Sequence, residues 1–174
     1  MSKVDEDYKH IKELEEYLLN AKEITYVQTL QETYKKVLVL SAASYFEDEI
    51  IKCLENYTKS ITVNDDKLLN FVKCKTLFRN YHTFFDWKKK NTNVFWKLFG
   101  DDEFKNKITS EIEEKGLKEA EENFMKIGSY RNKLVHENFA SHNLLANFTM
   151  EDIYIIYKSA FNFVDFIKSV FDRD

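Results

Sequence analysis

An arginine, an asparagine and a histidine stand within six residues in the run "RNKLVH", at Arg131, Asn132 and His136. These types together can act on a phosphodiester. Imidazole is the side chain that ordinarily titrates near neutrality, so a histidine can take a proton from a hydroxyl or return one to a leaving oxygen. A guanidinium offers a planar fork of donors that meets phosphate oxygens two at a time, and an adjacent amide can orient either partner. Of 26 basic residues only Arg79, Arg131 and Arg173 are arginine, so an arginine among apolar neighbours calls for a reason.

The element that carries these residues is an amphipathic helix expected over about residues 117 to 136. Leu117, Ala120, Phe124, Ile127, Arg131, Leu134 and Val135 share its stripe, and all but Arg131 are apolar. A guanidinium there needs an anionic partner or an opening to solvent, because an unpaired buried charge is too costly. One bland reading is a salt bridge to Glu47 or Glu49 of "YFEDEI"; Glu47 is the favoured one, and it can support Arg131 without removing its role. For His136 the bland reading is a helix-end imidazole favoured by the dipole. Asn132 and His136 are about 40° apart around the helix and Arg131 and His136 about 140°. The latter two therefore converge only through arginine's reach, fraying near His136, or a second copy of the helix. Gly128, one turn before Arg131, is expected to permit close approach by that partner helix.

The rest of the chain is expected to be an all-α bundle of about five to six helices in one domain over residues 1 to 174. There is no proline and there are only three glycines, which removes the usual makers of turns between strands. Aromatics are 16% of the chain, ample for a core. Periodicity predicts helices over about 6 to 22, 26 to 57 and 101 to 115, with small residues "SAAS" in the middle of the second. "NDD" at 64 to 66 offers a cap for a helix reaching about residue 81. The last helix opens at "TMED", where Thr149 and Asp152 have capping-box spacing.

Periodicity fails between about 82 and 100, predicting an irregular excursion containing "FFDWKKKNTNVFW". Lys88, Lys89 and Lys90 beside Trp87 and Trp96 combine charge and rings in the way that grips single-stranded RNA. The alternative is rings packed on the bundle beneath solvated lysines. His82 and His142 have no such setting and are expected on the surface.

"RNKLVH" fits the R-x4-6-H motif of the HEPN superfamily, with the usual polar residue after the arginine. The order of "LSAASYFEDEI", "NVFWKLFG", "RNKLVHENF" and "TMEDIYIIYKSAFNFVDFI" resembles the RiboL-PSP branch. The resemblance implies a cytoplasmic, metal-independent endoribonuclease of a toxin or phage-defence system. Members commonly form homodimers in which two motifs share a cleft. Arg131, Asn132 and His136 would be catalytic, with Glu47 in support. The partners implied are an RNA substrate and an antitoxin or other defence protein. The other reading, from a different class, is a non-catalytic HEPN module that dimerises or binds RNA or protein. In relatives controlled by a nucleotidyltransferase, a tyrosine follows the histidine by two positions; here Asn138 stands there, which disfavours that control.

Composition excludes other classes. A net charge of −4 gives no global pull on nucleic acid, so binding must come from a local patch. Cys53 and Cys74 are 21 residues apart without a Cys/His cluster, so no zinc site and no other metal or cofactor is expected. The charged N-terminal stretch and the lack of a long apolar run predict no secretory leader and no membrane span.

Overall fold

The computed structural model describes residues 2–62, 65–78, 80–136 and 144–172. Among these the chain is all-α, with seven α-helices and no strand. Arg79, Asn138, His142 and Arg173, along with Asn64 of the expected cap, lie outside the described residues.

Local sequence accounts for the helix ends. Helix α1 (Lys3–Asn20) begins at a reciprocal capping box between Ser2 and Asp5. The Ser2 hydroxyl also lies 2.6 Å from the Tyr157 hydroxyl, and Asp5 accepts from Tyr154 at 2.9 Å, so the cap doubles as a tether to the last helix. Helix α2 (Ile24–Ile61) has 38 residues and spans roughly 57 Å. It exceeds the expected range at both ends. Leu38, Val39, Ala42, Phe46 and Ile50 bury its middle; of the small-residue stretch there, Ala42 is fully buried and Ser44 is exposed.

The expected third helix breaks early. Helix α3 (Asp66–Val72) starts at Asp65, whose carboxylate accepts from the amides of Lys67 and Leu68, and continues as a π turn over Lys73–Leu77. A 3-10 turn follows at Tyr81–Thr83. No residue of α3 is buried, and Val72 packs only partly buried on the core, so little packing carries it further, and a short, weakly packed helix is marginal.

The irregular excursion contains one turn that periodicity missed, α4 (Asn93–Trp96). Phe95 and Trp96 are fully buried in it. Helices α5 (Asp102–Glu114) and α6 (Lys118–His136) follow nearly as expected. Helix α7 (Met150–Phe171) opens at the Thr149–Asp152 capping box. It packs against α2 and α6 at the centre, with α1 laid on α2. Rings link the layers: Phe46 of α2 meets Phe124 of α6 at 5.8 Å and Tyr157 of α7 at 5.5 Å.

A buried polar network joins the excursion to α6. The amide and hydroxyl of Thr92 both donate to one carboxylate oxygen of Glu121 at 2.7 Å, and the Trp96 indole donates to the Thr92 hydroxyl at 2.8 Å. Burial raises the Glu121 carboxyl above its ordinary value despite the two Thr92 donors. A carboxyl raised on folding contributes stability that is complete below its unfolded value and is lost as pH rises through its folded one. Glu121→Gln keeps the acceptor and removes the titration. Its melting temperature relative to wild type should therefore rise as pH goes from about 4 to about 7; a difference that stays constant across the series would refute the assignment.

Candidate active site

Helix α6 turns from core to cleft along its length. Ala120, Phe124 and Ile127 are buried, Arg131 and Asn132 are half-buried, and His136 at the end is exposed. Val135, expected on the apolar stripe, is 52% exposed and lines the cleft instead. Facing α6 are Ala43, Phe46 and Glu47 from α2, and Tyr81, His82 and Trp87 from the excursion. Together they enclose an open cleft of about 420 Å³. Its floor is apolar, made by Phe46, Phe124 and Ile127. Its rim is polar, made by Glu47, His82, Arg131, Asn132 and His136.

Arg131 and His136 thus line one cleft of a single chain, although they are well separated around the helix. Convergence needs no second copy, because the cleft spans the helix edge between them. Arg131 donates to the Asn132 side-chain oxygen at 3.2 Å. Among the described residues it forms no ion pair. The salt bridge considered with Glu49 does not occur: Glu49 accepts from Lys168 at 3.0 Å, on the α7 side of α2. Glu47 lies on the cleft face, half-buried, and makes no hydrogen bond of its own among the described residues. The guanidinium fork is therefore not consumed by a structural partner.

Gly128 has a different role from the one expected. A Cβ there would lie 2.0 Å from Cζ3 of the Trp87 ring. The space is filled by the chain's own tryptophan, not by a partner helix. Trp87 is half-buried, packs on Phe85 and Phe124 at 4.9 and 5.9 Å, and donates from its indole nitrogen to the His82 carbonyl at 2.9 Å. One bond thus ties together two cleft residues. Trp96 is wholly core, so it offers no face to a ligand.

Lys88, Lys89 and Lys90 are exposed. Lys89 and Lys90 stand 3.9 Å from Asp86 and 3.5 Å from Glu122, contacts of little energy at such exposure. Two shallower depressions adjoin the cleft across Trp87. One brings Lys88, Asn132, Lys133 and His136 together, and the other brings Lys88 to Lys90 beside Lys126 and Ser129. The lysines therefore flank the cleft, joined by two α6 lysines that the sequence reading did not single out.

Tyr81 and His82 were also missed as cleft residues. His82 is exposed, as expected, but on the cleft rim. Neither carries a periodic signal, because a 3-10 turn of three residues sets where they point. Burial pushes the Tyr81 phenol well above its ordinary value; Glu47 adds to the shift and Arg131 opposes it. The phenol stays protonated and can donate a hydrogen bond.

The family model for RiboL-PSP-HEPN matches residues 5–173. The chain belongs to the RiboL-PSP-HEPN family. No curated protein and no solved structure matches it. As a HEPN domain it falls in a class with nuclease or RNA-binding roles, and its motif residues Arg131, Asn132 and His136 all border the cleft just described. Among the described residues of this HEPN chain no helix is long and apolar enough to cross a membrane.

The Gly128–Trp87 contact is testable by a double-mutant cycle. Gly128→Ala gains about 1 kcal/mol of helix propensity but overpacks against the ring at a cost of roughly 1–3 kcal/mol. It should lower the melting temperature in wild type and leave it unchanged or raised in a Trp87→Ala background. Simple additivity of the two substitutions would show that the ring does not occupy the glycine's space.

Proposed function

We propose that this HEPN domain is a metal-independent endoribonuclease whose site is the cleft of Arg131, Asn132 and His136. The observation that carries this reading is a guanidinium fork with no ion pair among the described residues and an imidazole, both on the rim of one open cleft. The His136 imidazole takes the proton of a ribose 2′-hydroxyl as its oxygen attacks phosphorus. Arg131 stabilises the charge of the pentavalent phosphate, and Asn132, which accepts from Arg131, holds the fork in place. Proton donation to the departing 5′-oxygen leaves a 2′,3′-cyclic phosphate and a 5′-hydroxyl. His82 is a second imidazole on the same rim and supplies that proton. Glu47 orients the guanidinium from the opposite wall.

Lys88, Lys89 and Lys90, with Trp87, guide the RNA strand toward the cleft. The working form is a homodimer in a toxin or defence setting in the cytoplasm, as the family membership supports, with a further defence protein as its controller.

Arg131→Ala and His136→Ala should each abolish cleavage, and Arg131→Lys should fail too, since an ammonium lacks the bidentate fork. Cutting should persist in excess chelator, because histidines move the protons, and the products should carry cyclic phosphate ends. His82→Ala should slow cleavage, because the departing 5′-oxygen then lacks its proton donor. A His82→Ala protein that cuts at the wild-type rate would move the acid to a second copy's His136. No cutting by wild type, or normal cutting by both alanine variants, leaves the RNA-binding module as the function.

Replacing Lys88, Lys89 and Lys90 with glutamine should weaken RNA binding and flatten its salt dependence, with the melting temperature nearly unchanged. Binding that does not differ from wild type across a salt series would leave these lysines as a solvated face. A strictly monomeric species by light scattering at micromolar concentration would count against the homodimer.

A further inference from the structure

The cleft is much larger than a phosphate group requires, and its depth is of the wrong chemistry for one. Its floor is apolar, and the guanidinium that suits phosphate stands at the rim. One polar group sits in the deep part: the Tyr81 phenol, 7% exposed, which makes no hydrogen bond among the described residues. A buried hydroxyl without a partner is costly, because it has given up its bonds to water and gained none in return. Tyr34 is as buried and is also unbonded, but it lies outside every cleft described above. Tyr81 differs in lining a cleft between a carboxylate and a guanidinium, with the half-exposed face of Trp87 beside it, ring centroids 6.0 Å apart.

We propose that the deep part of the cleft is a nucleobase pocket. An unpaired base of the RNA leaves its stack and enters beside Trp87, and the Tyr81 hydroxyl donates to an acceptor on the base edge. Arg131 and Asn132 meanwhile hold the adjoining phosphate at the rim. The apolar floor repels the phosphate and accepts the ring, so strand orientation follows from the polarity of the walls. Aromatic faces bind any base, whereas one fixed donor favours bases that offer an acceptor at its position. Tyr81 is thus the residue that sets base preference. The proposal rests on the RNA reading of the cleft.

The test uses the full chain as wild type and Tyr81→Phe. Cleavage is measured on four oligonucleotides, each with a single ribonucleotide (A, C, G or U) in an otherwise 2′-O-methyl strand, which cannot itself be cut. Binding of the four nucleoside 5′-monophosphates is followed separately by NMR, with no need for cleavage. Wild type should prefer one or two bases in either assay. Tyr81→Phe should weaken the preferred base roughly 3- to 10-fold and leave the others nearly unchanged. Its melting temperature should be equal or higher, because the hydroxyl has no hydrogen-bond partner among the described residues to lose.

Equal treatment of all four bases by wild type, or an unchanged preference in Tyr81→Phe, overturns the pocket. A melting temperature several degrees lower also overturns it, since the hydroxyl would then have a structural partner. A wild type that cuts nothing refutes the nuclease reading alone; the monophosphate arm still decides the pocket.

Discussion

The Trp87 ring occupies the volume that a side chain at position 128 would need, and Thr92 is bonded to Glu121 seven residues earlier on the same helix. These two contacts hold the segment from the 3-10 turn at Tyr81–Thr83 to Trp96 against α6. One is steric and tolerates no Cβ. The other is a buried carboxylate that accepts two hydrogen bonds. Because the ring is seated where a Cβ would stand and the Thr92–Glu121 bonds are short and directional, the segment is held in register along α6, and the wall it forms stands beside Arg131. Without them the helix would present its polar edge to open solvent, and there would be no cleft.

The arrangement of polarity along α6 follows from the same tethering. Phe124 and Ile127 lie under α2 and the excursion, so they are core residues and also the floor of the cleft. One turn further on, Arg131 emerges from that floor. A guanidinium can stand there because the cleft leaves its head hydrated while its stem covers apolar surface. Glu47 occupies the matching position on α2, one residue beyond the buried Phe46. Core and site are built from adjacent positions on the same helices, so packing around Phe46 and Phe124 sets where the charged groups stand.

Legibility of the fold varied with how local its causes were. The starts of α1 and α7 are capping boxes closed within four residues, and the Thr149–Asp152 spacing predicted the second of these from sequence. Helix α3 ended early because its continuation depends on packing, and α3 buries none of its residues, Val72 alone being partly buried against the core cluster. The turn at Asn93–Trp96 was missed because it spans four residues, less than two helical periods, and is held by the burial of Phe95 and Trp96 rather than by propensity.

The sequence by itself determined the helical class, the long helices and the place of Arg131, Asn132 and His136 near the end of one of them, since those depend on period, caps and spacing along the chain. It also carried the family's motif. Tertiary structure alone decided that Arg131 and His136 share a cleft within one chain, that Glu49 belongs to Lys168 while Glu47 faces the cleft, and that Gly128 receives a tryptophan. It also brought Tyr81 and His82 to the site from a segment with no period. The reason is physical: a helical period gives the direction of a side chain about its own axis, but not which element lies in that direction. That second fact is set by burial and by contacts among residues dozens of positions apart.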